Sequence, residues 1–165
     1  MNKTYKIILL VLTVIALLYA LFGGDVKFNE YEFSEVNVVY NKTEPDYLDT
    51  IVHVGLDILD IQGIIVIIDD MPDNAYGLGA YVTTQFFGGN QYVLNIKKNE
   101  PLQNQIKYIA HELIHIKQYY DGDLIWLGGT DVVWKEDTLR DIEKNIPYSL
   151  REWEVEAYRD RKSVV

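Results

Sequence analysis

Residues 108–120 read YIAHELIHIKQYY and hold two of the three histidines of the chain, His111 and His115, four positions apart, with Glu112 directly after the first. The stretch is helical by pattern: Leu102, Ile106, Ile109, Ala110, Leu113 and Ile116 recur at the intervals that put side chains on one helix face. Asn99 is placed to cap this helix, Pro101 suits its first turn, and Asp121-Gly122 ends it after Tyr120. Residues i and i+4 of a helix project one turn apart, so His111 and His115 can bring two imidazole nitrogens to about 2.0–2.1 Å from one Zn2+ ion. Glu112 points aside from that pair and is free to take a proton from a water molecule as general base. The H-E-x-x-H spacing thus predicts a hydrolytic zinc site, against the plainer alternative of a wet helix face with two incidental histidines.

A catalytic zinc with an open position takes three protein ligands, and a chain without cysteine must supply the third from His, Asp or Glu. His53 sits beside Val52 and Val54 in an earlier apolar-rich helix and is read as packed or solvated. The segment YSLREWEVEAYRDRK, residues 148–162, starts as a helix by its own signals: Ser149 and Glu152 form a capping box, and Tyr148 can staple against Trp153. Leu150, Trp153, Ala157 and Tyr158 define its apolar face. Glu154 falls on that same face, where an unpaired carboxylate is costly, whereas Glu152 is assigned to the cap and Glu156 to the polar side with Arg159 and Asp160. Glu154 therefore needs a cation, which either a metal ion or Arg151, three residues before it, can provide.

The remaining pattern is that of an α+β domain. FSEVNVVY from Phe33 reads as a strand, and TEPDYLDTIVHVGLDILD, residues 43–60, as an amphipathic helix behind Thr43 and Pro45 that ends near Gln62-Gly63. IIVIID, residues 64–69, is a β-branched run expected to be central in a sheet and covered on both faces. AYVTTQFF and QYVLNIK, joined at Gly88-Gly89-Asn90, read as an antiparallel hairpin. If QYVLNIK is the sheet edge beside the histidine helix, an extended peptide can add to it as a further strand. LIWLGGTDVVWK resembles a second hairpin turned at Gly128-Gly129, and EDTLRDIEKNIP has no clear period.

Composition sets the outer limits. With 165 residues, 48% of them hydrophobic, the chain can bury one core, and its formal charge of −10 argues against a nucleic-acid partner. MNKTYK carries Lys3 and Lys6 ahead of IILLVLTVIALLYALF, residues 7–22, which has no charge. This run of 16 lies between the length of a signal-peptide core and that of a membrane span. No A-x-A-like cleavage site follows it, so an uncleaved membrane anchor over residues 1–24 is favoured over a removed signal, with residues 25–165 as a domain outside the cytoplasm.

HELIH at 111–115, followed by WEVEAYR at 153–159 with Glu154 lying 39 positions beyond His115, resembles the zinc metallopeptidases of the gluzincin type, especially the small minigluzincins. The resemblance covers residues 45–162 and implies a zincin-like fold, with a small mixed sheet whose edge borders a cleft, the H-E-x-x-H helix and then a helix bearing the third ligand. It implies Zn2+ held by His111, His115 and Glu154, with Ala157 completing an E-x-x-A pattern and Glu112 as the base. Membrane-bound relatives often have Asp after that alanine, where this chain has Tyr158, which leaves one ligand histidine without an assigned outer partner. Tyr119, Tyr148 and Tyr158 are all open as donors to the oxyanion of a peptidase reaction. The expected activity is a membrane-anchored peptidase acting on extracytoplasmic protein or peptide. A zinc-binding envelope scaffold without catalysis and a metal-free interaction domain are the alternatives.

Overall fold

The computed structural model describes residues 36–43, 45–72, 78–84, 90–97 and 99–164, all within one folded unit, Glu35–Val165. The expected anchor over residues 1–24, the start of the first strand at Phe33 and the hairpin turn at Gly88-Gly89 lie outside the described residues. Among the described residues no helix is long and apolar enough to cross a membrane.

Strand β1 (Val38–Asn41) leads through helix α1 (Tyr47–Ile58) to β2 (Ile65–Asp70), which pairs parallel to β1 with Val38 opposite Ile65 and Asn41 opposite Ile68. Parallel neighbours need such a crossover because a tight turn can only reverse the chain. β2 also pairs parallel with β4 (Gln91–Ile96), and β3 (Ala80–Thr84) pairs antiparallel with β4, giving the order β1-β2-β4-β3. The α+β class with a small mixed sheet and a hairpin from β3 to β4 is as the sequence pattern predicts. Two details differ. β2 has strands on both sides, but Val66 and Ile68 are fully buried while Ile65 between β1 and β4 is 36% exposed, so it is not covered equally on both faces. Among the described residues the edge next to β4 is AYVTT, and QYVLNIK is not an edge, because β4 finds a partner on each side and β3 on only one.

Helices α1 and α2 (Leu102–Tyr120) pack on one face of this sheet, where Leu48, Val52 and Leu56 meet Ile109, Leu113 and Ile116 over Val66, Ile68 and Leu94. Gly55 allows the close approach of the two helices, since a Cβ there would run into the Leu113 side chain. α2 begins at Leu102 with Pro101 at the cap position, and Asn99 does not cap it. Asn99 instead turns the chain at φ 64°, a left-handed conformation that asparagine tolerates. The Pro101 carbonyl accepts from the Asn104 and Gln105 amides at 2.8 and 3.1 Å. At the other end Gly122, at φ 77°, stops the helix where predicted.

The second hairpin is also present, as β5 (Leu124–Gly128) and β6 (Asp131–Trp134), and the stretch without a period adds β7 (Asp137–Leu139) and a short α3 (Ile142–Asn145). Helix α4 (Glu152–Asp160) then packs Trp153 into a second core with Leu124, Val132, Trp134 and Ile142. Its predicted capping box does not form. Pro147 opens a 3-10 turn over Tyr148–Leu150, which absorbs Ser149 and leaves Arg151 as the extended residue before the helix. Glu152, freed from the cap, accepts the Trp134 indole N–H at 2.9 Å. Leu150 and Tyr158, placed on the apolar face by periodicity, are exposed, while Trp153, Glu154 and Ala157 are buried.

Candidate metal centre

Where α2 meets α4, three predicted residues converge. His111 and His115 sit one turn apart in the middle of α2, and Glu154 comes from the first turn of α4; all three are buried. The His111 and His115 Nε2 atoms are 3.2 Å apart, and Glu154 Oε2 lies 3.3 Å from the first and 3.4 Å from the second. A tetrahedron with bonds of about 2.0–2.1 Å has edges of about 3.3–3.4 Å. The triangle thus has the spacing of three corners of such a site, and the residues are close enough to bind a metal ion.

The electrostatics of the cluster fit a cation as well. Glu154 Oε2 and His111 Nδ1 are buried without a hydrogen-bond partner among the described residues. Orphaned polar atoms are costly in a core, and a carboxylate facing imidazole lone pairs is worse still. Burial opposes ionisation of Glu154, but the His111 and His115 imidazoles overcome it and bring the carboxyl down to about 2. Burial likewise opposes charging of His115, and the Glu154 and Glu112 carboxylates win and raise it. Arg151, the alternative cation, does not pair with Glu154: its guanidinium bonds the Ile146 carbonyl at 3.4 Å and lies 5.3 Å from the Tyr148 ring centre.

Glu112 is buried beside the cluster and lines a cleft of about 550 Å³ together with His115, Glu154 and the edge strand β3. Burial pushes its carboxyl above the ordinary range, and the His115 and His111 imidazoles and the Val82 amide pull it partly back. The Val82 amide is available because of the strand register. Lys97 N–H donates to the Gly79 carbonyl at 3.0 Å, and Ala80 faces Ile96, so Tyr81 and Thr83 turn their backbone groups toward β4. Ala80, Val82 and Thr84 turn theirs outward, along the cleft.

The three tyrosines separate. Tyr158 packs its ring on His111 at 4.4 Å between centroids and covers this histidine without bonding its Nδ1. The Tyr148 hydroxyl donates to the Glu154 carboxylate. Tyr119, also in the cleft, accepts the Trp126 indole N–H at 3.0 Å, which leaves its own proton for an acceptor. His53 is exposed on α1 and takes no part in the cluster.

Sequence reasoning missed Gln118. Its side chain is buried, with Oε1 at 2.8 Å from His115 Nδ1, and its only sequence signal is the i,i+3 spacing from His115. The chain matches no protein-family model, no curated protein and no solved structure, so the site itself carries the functional reading.

Proposed function

We propose that the chain is a zinc-dependent peptidase of the gluzincin type with a zincin-like fold, in which His111, His115 and Glu154 hold Zn2+ and Glu112 is the general base. The observation that carries this reading is the buried triangle of Nε2, Nε2 and Oε2 atoms, with a second acidic group, Glu112, beside it in the lining of a cleft. Zinc held there supplies Lewis acidity at an open coordination position. Glu112, with its affinity for protons raised by burial, takes a proton from the attacking water and passes it to the leaving amine nitrogen. The outward backbone groups of Ala80, Val82 and Thr84 suit an extended peptide added along β3. The Tyr119 hydroxyl, oriented by Trp126, can donate to the oxygen that becomes negative during attack. The charge-free run over residues 7–22 supports an anchored protein with an extracytoplasmic peptide substrate.

A non-catalytic metal-binding scaffold is the second reading, and the observation in its favour is the Val82 amide on Glu112, which engages the base. Metal analysis and Glu112→Gln separate the two. The peptidase reading expects about one zinc per chain in both forms and hydrolysis of peptide substrates about 10²–10⁴-fold slower in the variant. Zinc without hydrolysis in the wild type leaves the scaffold; no zinc removes both readings.

A further inference from the structure

We propose that Gln118 is a positioning residue that holds His115 as its Nδ1–H tautomer and so turns the Nε2 lone pair toward the centre of the His111, His115 and Glu154 triangle. The argument runs from partners that can only accept. Gln118 Nε2 lies 3.0 Å from the Trp153 carbonyl oxygen and 2.9 Å from Glu156 Oε2. A carbonyl and a carboxylate have no proton to give, so the amide nitrogen must face them, and a flipped amide would set oxygen against oxygen twice. The Lys135 ammonium donates to the other Glu156 oxygen at 2.7 Å.

With the nitrogen committed, Gln118 Oε1 is the atom at 2.8 Å from His115 Nδ1. That oxygen only accepts, so the imidazole must carry its proton on Nδ1 and, when neutral, leave Nε2 bare. Nε2 is the atom 3.2 Å from His111 Nε2 and 3.4 Å from Glu154 Oε2. One buried amide also ties both halves of the cluster together. It bonds a histidine of α2 and the α4 carbonyl of the residue immediately before Glu154. His111 has no such partner on Nδ1 among the described residues, so the orientation of the pair depends on the Gln118 side. Outer-shell partners of this kind fix ring orientation and raise ligand basicity.

The part of the inference that concerns metal rests on the zinc reading; the tautomer does not. The test is long-range 1H–15N correlation of the His115 ring in the metal-free full chain at alkaline pH, where imidazoles are neutral, with zinc affinity measured by chelator competition. The wild type should show Nδ1–H, and Gln118→Met should shift the ring toward the Nε2–H form and weaken zinc by about 10–100-fold. Nε2–H in the wild type overturns the proposal with no variant needed, as does a folded Gln118→Met that keeps both tautomer and affinity. If the wild type takes up no zinc while its tautomer still depends on Gln118, the metal reading falls and the tautomer control stands.

Discussion

Glu154 Oε2 lies 3.3 Å from His111 Nε2, across the contact between α2 and α4, with both side chains more than nine-tenths buried. A carboxylate in that position is held ionised in the apo protein by its histidine partners, and on the zinc reading it would also hold the ion. Glu154→Gln should therefore lower both apo stability and metal binding, and the two losses can be read apart. In chelator the variant should melt lower than the wild type, because the amide gives up the interactions that bring the Glu154 carboxyl down to about 2. With zinc at 100 times the wild-type Kd, the wild type should gain about 2.7 kcal/mol and the variant almost none. Thermal melts with and without zinc read both quantities, and an equal zinc gain in the variant would remove Glu154 from the ligand set.

The pH dependence of that gain follows from the protons the ion must replace. His115 is raised from its ordinary 6.5, burial opposing charge but the neighbouring carboxylates prevailing, so its contribution to apo stability is whole below about 6.5 and lost as pH rises through the folded value. Glu154 runs the other way: its contribution is whole above 4.5 and lost as pH falls toward about 2. Between those limits a proton on His115 competes with the cation. The Tm increase on adding zinc should thus be larger at about pH 7.5 than at about pH 5.5. A gain independent of pH would mean that zinc binds away from His115.

Tyr119 and Tyr148 both reach the cleft, yet they should fail in different ways when the hydroxyl is removed. Tyr119→Phe takes away a donor already oriented by Trp126 and leaves the metal ligands untouched, so zinc content should hold while peptide hydrolysis falls about 10²–10³-fold. Tyr148→Phe removes a proton donor from Glu154 and should show first as weaker zinc. The opposite pattern in metal analysis and steady-state rates would exchange the two roles.

What the sequence made legible was whatever depends on spacing along one element. His111, Glu112 and His115 share a helix, and Glu154 stood out as the acidic residue on an apolar stripe. Strand order was not legible: whether QYVLNIK or AYVTT forms the edge depends on β2 arriving beside β4, a contact between segments whose pattern is equally good in either position. The capping box failed for a local reason, because Pro147 starts a turn one residue too early for Ser149. Gln118 could not be singled out either, since its partners on α4 lie 35 and 38 residues away and only the packed helices bring them together.

Packing also fixes the edge strand that borders the cleft. Gly79 lies immediately before β3, and a Cβ built there would meet three carbons of the Tyr108 ring at once. Tyr108 belongs to α2 and packs, partly buried, against the main core, so its ring must shift to admit a Cβ. The Gly79 backbone is not in the left-handed region, which leaves steric overlap as the cost of Gly79→Ala. Overpacking of this kind costs about 1–3 kcal/mol. The loss should be coupled to the ring: in a Tyr108→Leu background the same substitution should cost less, and a double-mutant cycle by denaturant unfolding measures the difference. Additive losses would show that Gly79 and Tyr108 do not share this contact, and that the position of β3 beside Glu112 is set elsewhere.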